Sequence, residues 1–358
     1  MQMDWLQIKQ FRNLVSIEFK PGPRLNFFVG RNASGKTAIL EAIYMLSRGK
    51  SFRTPRIQDV IQHNQKSLLV FSKIRHEQEG VINTGIEKTY GQTTIKYNGN
   101  RLKAVSEQTR GVPVLLVNQD SQQILTGSPR ERRHWLDWAM FHVEPDYLDV
   151  WKAYMKSLRQ RNMLLKRGEK KRELYRAWEQ AMIESGHYLT EKRRGFLVQL
   201  VAALDQTVQQ VFLSKIFVIL SSFWPENPQD GDIFLQSWET DLKNGYTRQG
   251  AHNIDVRFLL NDKSLADFFS RGQIKLFVCL LMIAQAQVLE KITGIKPLLL
   301  LDDYEAELDE PACVFLLETL AATEFQALLT NTEEQKTIIN KDLQNTFHVE
   351  QGRVLAAA

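Results

Sequence analysis

One octapeptide, GRNASGKT at Gly30–Thr37, limits the possible folds of this chain more than any other stretch. It matches the pattern G-x-x-x-x-G-K-[ST], which marks the phosphate-binding loop of nucleotide hydrolases. The apolar run Leu25–Val29 before it predicts a buried strand, and AILEAIYML after it predicts a helix. The two glycines allow a tight turn in which successive backbone N–H groups face phosphate oxygens at the start of that helix. The motif therefore predicts an α/β nucleotide-binding fold.

The last two residues of the loop have separate roles. Lys36 reaches the β- and γ-phosphates, and the hydroxyl of Thr37 binds Mg²⁺. The remaining positions contribute backbone N–H groups. The predicted phosphate-binding residues are Gly30, Arg31, Asn32, Ala33, Ser34, Gly35, Lys36 and Thr37.

A second apolar run, Pro297–Leu301, ends in two carboxylates, Asp302 and Asp303. Alone, a strand that ends in aspartate is common, but a chain with a phosphate-binding loop needs such a second element. Asp302 is placed to hold Mg²⁺ through water, and Asp303 to orient or deprotonate the attacking water. Because Asp303 is one methylene shorter than glutamate, it must approach more closely or act through a second water. We therefore expect slow hydrolysis, with Lys36, Asp302 and Asp303 as its catalytic residues.

The tetrapeptide SRGQ precedes a predicted helix at Ile274–Lys291. A serine at this place is an ordinary helix N-cap. A hydroxyl, a glycine N–H and a helix N-terminus can also form a second anion site for a γ-phosphate. Within one head such a site lies too far from Lys36 to share its nucleotide, so this alternative implies a partner subunit. The candidate residues are Ser270, Arg271, Gly272 and Gln273.

Composition favours a globular protein of the cytoplasm. The 358 residues are 43% hydrophobic, which suffices for one large core or two domains. The two cysteines lie in apolar surroundings without metal-ligand spacing, which indicates reduced thiols. The N-terminus lacks the apolar run of a signal peptide, and no segment reaches about 18 apolar residues. The net charge of +5 is compatible with a nucleic-acid partner without requiring one.

The order of strand-like and helical segments indicates two domains. Strand-like runs at 68–74, 81–86, 93–97 and 114–117 predict an antiparallel sheet beside the nucleotide-binding sheet. From Pro129 onward apolar residues recur at helical spacing, and Phe223–Asp232 is rich in turn formers and predicts a linker. We expect a head formed by residues 1–117 and 250–358, with an inserted helical arm lobe at 118–249.

The arm lobe contains the basic segment KRGEKKRELYR, Lys166–Arg176, beside further basic residues of the preceding helix. Such a segment is either the solvated tip of a helical hairpin or a patch that contacts nucleic-acid phosphates. The sequence does not decide between these two interpretations. The candidate DNA-binding residues are Lys152, Lys156, Arg159, Arg161, Lys170, Lys171 and Arg172.

In this order GRNASGKT, SRGQ, LLLLDD and AELD resemble the motifs of the ATP-binding-cassette ATPases of DNA repair and chromosome maintenance. The surrounding stretches resemble most closely the RecF family of bacterial gap-repair proteins. They include FRNLVSIEF, GKSFR, SPRERRHWLDWAMFHVEPDY, LRQRNMLL and SRGQIKLF. The resemblance covers most of the chain and is weakest from Lys166 to Lys243. It implies a cassette-type head with an inserted helical arm.

The resemblance also implies a mechanism, in which two heads sandwich ATP and Mg²⁺ and separate after hydrolysis. Ser270 and Gly272 would meet the γ-phosphate bound to the partner head, and Glu307–Asp309 would cross the dimer interface. Gln119 or Asp120 stands where cassette ATPases have their glutamine-loop residue. The implied partners are double-stranded and gapped DNA, the RecR, RecO and RecA proteins and a second copy of the chain, with no membrane.

Two departures from these families are visible. Gly250–Asn253 reads GAHN where the RecF family has Gly-Pro-His-Arg, which removes a basic residue. Thr330–Thr332 replaces the switch histidine of transporter cassettes. Two other classes remain open: a cassette subunit coupled to a transport or chromosome-organising machine, and a GTPase or phosphotransferase. Against the GTPase, the segment Asn340–Leu343 ends in leucine where a guanine-binding motif needs aspartate.

Overall fold

The structure, a computed structural model, describes residues 1–212, 217–221, 233–260, 262–332 and 343–356. The chain divides into two compact units: Met1–Gln122 with Phe269–Ala358, and Gln123–Phe268. The second unit thus contains residues 250–268, which the sequence pattern had assigned to the head. The predicted linker Phe223–Asp232 lies outside the described residues, as does Asn340–Asp342 of the guanine-type segment.

The elements occur in this order along the chain. The first part forms β1 (Gln2–Phe11), β2 (Leu14–Phe19), β3 (Leu25–Val29), α1 (Lys36–Arg48), β4 (Ser67–His76), β5 (Gly80–Thr89), β6 (Thr93–Tyr97), β7 (Asn100–Arg101), α2 (Val105–Gly111) and β8 (Val114–Val117). The middle part forms α3 (Gln123–Thr126), α4 (Pro129–Val143), α5 (Tyr147–Lys166), α6 (Glu173–Phe212), β9 (Phe217–Ser221), α7 (Ile233–Gln236), α8 (Trp238–Asn244), β10 (Asp255–Leu260) and β11 (Lys263–Ser264). The last part forms α9 (Arg271–Thr293), β12 (Leu298–Leu301), α10 (Glu310–Ala322), β13 (Ala327–Asn331), β14 (Gln344–Glu350) and β15 (Arg353–Ala356).

A six-stranded sheet in the order β15-β14-β3-β13-β12-β8 carries the nucleotide motifs. All its neighbouring strands are parallel except β15, which runs antiparallel to β14. Every residue of β3, β12 and β13 is buried, as is usual for parallel strands covered on both faces. Because the carboxyl ends of parallel strands meet at one edge, the phosphate loop after β3 and the carboxylates after β12 lie at the same edge.

The second sheet of this unit is antiparallel, in the order β2-β1-β4-β5-β6-β7. One hydrophobic core joins this sheet, helix α1 and the parallel sheet: it includes Ile8 and Val70 from the antiparallel strands, Ile39 and Ile43 from α1, and Leu300 from β12. This arrangement confirms the predicted cassette-type head with an added antiparallel sheet. The assignment of 114–117 to that sheet was wrong, because these residues form β8, which pairs in parallel with β12 at the edge of the nucleotide-binding sheet.

Helix α9 packs inside the same unit. By length and composition it could cross a membrane, with a mean hydropathy of 1.6 in its most apolar window, but 83% of that window is buried inside the protein. No other helix within the described ranges meets the same criteria. Its Cys279 and the nearby Cys313 of α10 are both buried and free, and burial raises the pKa of Cys279 to about 12.

The second unit is mainly helical, with a small sheet in the order β11-β10-β9, and α5 packs along α6. In the GAHN stretch Gly250 and Ala251 are buried, His252 is partly buried and Asn253 is exposed. Arg193, fully buried, donates to the Ala251 carbonyl at 2.7 Å and to Asp137 at 2.6 Å. The His252 ring bonds to the Tyr154 hydroxyl at 2.8 Å and to the Thr247 carbonyl at 3.2 Å. These contacts give this stretch a packing role.

Candidate nucleotide-binding site

The backbone of the phosphate loop requires glycine at both of its fixed glycine positions. Gly30 has φ 154° and Gly35 has φ 119°, both in the region that favours glycine. A Cβ on Gly30 would lie 2.2 Å from the Val349 carbonyl oxygen. The loop therefore packs directly against the end of β14, and a side chain at Gly30 would push the two apart.

Two neighbouring segments hold the loop between these glycines. The Asn13 side chain donates to the Ala33 carbonyl at 3.1 Å, and the Gly352 N–H donates to the Ser34 carbonyl at 2.8 Å. Ala33 itself has φ 63°, a left-handed conformation that is rare for residues other than glycine. The loop is thus fixed by the β1–β2 turn on one side and by the β14–β15 turn on the other.

Lys36 is buried and folded back onto the loop. Its ammonium donates to the carbonyls of Gly30 at 2.6 Å and Arg31 at 2.9 Å. Burial lowers the pKa of Lys36, while the carboxylates of Asp303 and Asp302 oppose that shift. The ammonium is therefore placed inside the loop, where phosphate oxygens can replace the two carbonyls as its partners.

The two motifs meet through one hydrogen bond. Thr37 donates its hydroxyl to Oδ1 of Asp302 at 2.9 Å. Thr330 donates to the same oxygen at 2.8 Å and accepts the Asp303 N–H at 2.8 Å. Thr330 thus fixes both acidic residues, a contact that no sequence motif indicated.

The residues present fit a magnesium ion held together with a nucleotide. Mg²⁺ binds through one or two protein oxygens and completes its shell with phosphate oxygens and water. Thr37 and Asp302 supply such oxygens side by side. Among the described residues, no group of three or more His, Cys, Asp or Glu side chains could hold a metal by itself. A cation at this place would therefore depend on the phosphates.

An open cleft of about 550 Å³ extends from Lys36 and Thr37 across Asp302 and Asp303. Its lining also includes Arg12, Asn13, Asn32, Ala33, Gly35, Ala38, Arg53, Thr330 and Thr332. The cleft brings seven predicted residues together: Asn32, Ala33, Gly35, Lys36, Thr37, Asp302 and Asp303. Its lining contains none of the four SRGQ residues and neither Gln119 nor Asp120.

The sequence motifs did not predict two arginines that line this cleft. Arg12 donates twice to Glu41, at 2.5 and 2.6 Å, and Arg53 lies 3.7 Å from the same carboxylate. Ser51 donates to Glu41 at 2.5 Å. Glu41 is completely buried in α1, so these cations compensate its charge and face the cleft. The signal was present, because a glutamate within the apolar run AILEAI requires a partner.

The SRGQ segment begins α9 as the N-cap interpretation predicts. The Ser270 hydroxyl accepts the Gln273 N–H at 3.3 Å, and the Gln273 side chain accepts the Ser270 N–H at 2.9 Å, which forms a capping box. Ser270, Arg271 and Gln273 are partly or fully exposed. The cap is compatible with the second alternative, since an accessible hydroxyl and a helix N-terminus can still bind an anion.

The predicted glutamine-loop residues lie in a short 3₁₀ helix, Gln119–Gln122, directly after β8. Both Gln119 and Asp120 are exposed. Gln122 of the same turn donates to the Glu307 carboxylate at 2.6 Å. The turn therefore contacts the segment Asp302–Asp309 after β12. Which of the two predicted residues, Gln119 or Asp120, acts on a nucleotide stays open.

Among the seven candidate DNA-binding residues, five have their charged groups toward the surface: Lys152, Lys156, Arg159, Lys170 and Lys171. Arg172 is half-buried, where it pairs with Glu179 at 2.8 Å. Arg161 is completely buried, with Glu179 at 3.0 Å and Asp241 at 2.8 Å. Its guanidinium is enclosed by the lobe and cannot contact DNA in this conformation, so we remove Arg161 from the candidate set.

Comparison with known proteins agrees with the geometry. The family described as "RecF/RecN/SMC N terminal domain" matches residues 2–354. The "DNA replication and repair protein RecF" of Cellvibrio japonicus is 33% identical over 371 aligned positions, which cover 100% of both chains. The protein of the same name from Vibrio vulnificus is 33% identical and covers 98% of this chain and 99% of its own.

Solved structures agree as well. "Structure of the recombination mediator protein RecF-ATP in RecFOR pathway" is 25% identical, with a TM-score of 0.86, and covers 100% of this chain and 98% of its own. An Smc head bound to the C-winged helix domain of ScpA is 15% identical with a TM-score of 0.58, covers 100% of this chain and 98% of its own, and shows a shared fold alone. The chain therefore belongs to the RecF/RecN/SMC N-terminal domain family and, within it, to the RecF proteins of DNA replication and repair.

Proposed function

We propose that this chain is an ATP-dependent DNA-binding protein of recombinational gap repair in the cytoplasm. Two copies close on ATP, bind double-stranded DNA near a gap, and separate after slow hydrolysis. The observation that carries this proposal is the hydrogen bond between Thr37 and Asp302, which brings the phosphate loop and the acidic strand end to one cleft. The ATP-bound relative of similar fold supports ATP as the nucleotide.

ATP would bind with its β- and γ-phosphates against the loop N–H groups and the ammonium of Lys36. Bound Mg²⁺ would neutralise charge that develops on the phosphates. Thr37 and Asp302 would hold that ion, while the exposed carboxylate of Asp303 would orient or deprotonate the attacking water. Arg12 and Arg53, tied to Glu41, would add positive charge to the same cleft.

Closure of the dimer would use the accessible N-terminus of α9. Ser270 and Gly272 would meet the γ-phosphate bound to the partner head, and Arg271 and Gln273 would flank it. ATP shifts the equilibrium toward the closed dimer only by as much as it binds that state more tightly. Loss of the γ-phosphate would remove this difference and release the heads.

DNA would contact the accessible basic residues of the second unit, which are Lys152, Lys156, Arg159, Lys170 and Lys171. Binding through phosphates makes affinity fall with salt, so a duplex-binding assay should show a steep decrease between low and moderate salt. A flat salt response would contradict this assignment. By family resemblance the protein would act with RecR and RecO to load RecA.

Sedimentation velocity with ATP, with ADP and with neither tests the proposal directly. We expect a dimer only with ATP, strengthened by a short duplex, and Lys36→Met should abolish it because the γ-phosphate loses its buried cation. Lys66→Met, at an exposed lysine of the same unit, is the matched control and should dimerise like the wild type. A monomer in every condition, or an unchanged dimer fraction in Lys36→Met, would contradict the proposal.

A further inference from the structure

The segment Asp302–Asp309, here called the acidic loop, connects β12 to α10 and is held in an uncommon backbone conformation. Asp303 has φ 52° and Glu307 has φ 68°, both left-handed conformations that cost energy for residues other than glycine. Such conformations persist only where surrounding contacts fix them. Contacts from the first turns of α9, from Thr330 and from Gln122 fix this loop.

Lys275 supplies two of these contacts. Its ammonium donates to the carbonyls of Asp303 and Ala306, each at 2.6 Å. The side chain is only 7% exposed, and burial lowers the pKa of Lys275. Between Gly272 and Val288 it is the sole charged residue of an otherwise largely apolar run. A buried cation is costly, so an ammonium at this position indicates a specific requirement of the acidic loop.

Asp303 is held at both ends of its backbone. Thr330, at the end of β13 next to the phosphate loop, accepts its N–H at 2.8 Å. Lys275 donates to its carbonyl oxygen. These two bonds set the direction of the Asp303 Cα–Cβ bond, from which the carboxylate projects, because they fix the peptide groups on either side of the Cα.

The same turn of α9 touches the acidic loop at a second point. A Cβ on Gly272 would lie 2.5 Å from the Glu307 carbonyl oxygen, so the helix start is in direct contact with the loop. The capping box from Ser270 to Gln273 keeps that turn rigid. Ser270, Gly272 and Lys275 therefore form one continuous connection between the accessible N-terminus of α9 and Asp303.

We propose that Lys275 is a positioning residue that couples the partner-facing Ser270 of a head to the hydrolytic Asp303 of the same head. Contact of Ser270 with the nucleotide of the partner would shift the first turn of α9. Through Lys275 that shift would set the Asp303 carboxylate against the water at this head's own nucleotide. The inference rests on the proposed function and adds a route by which one nucleotide site acts on the other.

Lys275→Met tests this route, since methionine keeps the apolar stem and removes both hydrogen bonds. Lys275→Arg restores donors at the same place. Lys88→Met is the matched control: the Lys88 ammonium also donates to a backbone carbonyl, that of Gly49 at 2.7 Å, and burial lowers the pKa of Lys88 too, but it lies away from the acidic loop. The measurements are ATP binding, the ATP-dependent dimer fraction, kcat and KM.

For Lys275→Met we expect kcat to fall about tenfold or more, with ATP affinity and dimer fraction within about twofold of the wild type. Lys275→Arg should recover most of kcat, and Lys88→Met should match the wild type. Hydrogen exchange should rise at 303–308 in Lys275→Met alone, since the loop loses its anchor. ATP binding should protect these amides in the wild-type dimer but not in that of Lys275→Met.

Three outcomes would overturn the inference. They are a kcat of Lys275→Met within about twofold of the wild type, a parallel loss of binding, dimer and kcat that Lys275→Arg fails to rescue, and unchanged exchange at 303–308. A wild-type protein that neither dimerises with ATP nor hydrolyses it would overturn the proposed function as well. A wild type that does both, beside an unaffected Lys275→Met, would overturn the coupling alone.

Discussion

Replacing Arg161 by methionine separates two roles for this residue, stabilisation of the second unit and contact with DNA. Its guanidinium donates to Glu179 at 3.0 Å, to Asp241 at 2.8 Å and to Thr247 at 2.6 Å. It also lies 4.6 Å from the centre of the Phe234 ring. Methionine retains part of the apolar stem but leaves both carboxylates without this cation.

The expected loss depends on the contacts that remain around the two acids. Removal of one partner from a buried ion pair costs about 3–5 kcal/mol. Arg172 still pairs with Glu179 at 2.8 Å, and the Ser237 hydroxyl still donates to Asp241 at 3.0 Å. We therefore expect Arg161→Met to lower the free energy of unfolding by about 3 kcal/mol, near the lower end of that range.

Urea unfolding followed by circular dichroism measures this loss, with Arg159→Met as the matched control. Arg159 lies two positions earlier in α5 and is exposed, so its replacement should change stability by less than about 0.5 kcal/mol. In duplex binding over a salt series, Arg159→Met should have the larger effect of the two variants. Arg159→Met should reduce the salt slope by about one, while folded Arg161→Met should keep the slope of the wild type.

A loss below about 1 kcal/mol for Arg161→Met would refute the reasoning, because that is the value of an exposed pair. A reduced salt slope in the same variant would show that the guanidinium reaches DNA after all. Both results together would mean that the lobe opens around Arg161 in solution.

Asp302 and His252 offer two further tests. Asp302→Asn keeps an oxygen for the Thr37 hydroxyl but removes the charge, so apparent Mg²⁺ affinity in ATP hydrolysis should fall about 10- to 100-fold; an unchanged magnesium titration would contradict the metal role. Burial lowers the pKa of His252 in the folded protein, so as pH falls the unfolded chain binds a proton at this residue before the folded protein does. The neutral buried ring therefore contributes stability above about pH 6.5, and this contribution is lost as pH falls from there toward the folded pKa. His252→Gln should remove up to about 1.4 kcal/mol per pH unit of that dependence in unfolding experiments at about pH 7.5 and 5.5; a pH dependence equal to that of the wild type would contradict it.

Local motifs were sufficient to predict the α/β nucleotide-binding fold and the two strand ends that meet at the cleft. The phosphate loop and the run ending in Asp302 each specify a strand and the functional residues at its carboxyl end. Parallel pairing then brings the two strand ends to one edge, which yields the Thr37–Asp302 bond between residues 265 positions apart. The antiparallel sheet was predictable for the same reason, since its strands alternate between buried and exposed residues.

The buried face of α5 differs from the apolar stripe visible in its sequence. Leu148, Trp151, Met155 and Leu158 recur at helical spacing, but the buried residues of this helix are Tyr147, Tyr154, Ser157, Leu158, Arg161 and Leu165. Arg161 lies three positions after Leu158 and four before Leu165, on that buried face. The error was to treat Arg161 as exposed because it lies near the basic segment Lys166–Arg176. Helical spacing, not charge, decides which side chains enter the interior.

A buried charge in an apolar helix indicates from the sequence alone that the residue has a partner. The sequence does not identify that partner. Glu41 interrupts the apolar run of α1, and Lys275 interrupts that of α9. Each needs compensation, since an uncompensated charge in the interior costs several kcal/mol. The partner of Glu41 is the side chain of Arg12, whereas the partners of Lys275 are backbone carbonyls of the acidic loop, which any sequence supplies. Pattern analysis can pair two charges of opposite sign, but only the folded backbone reveals a cation that holds a loop.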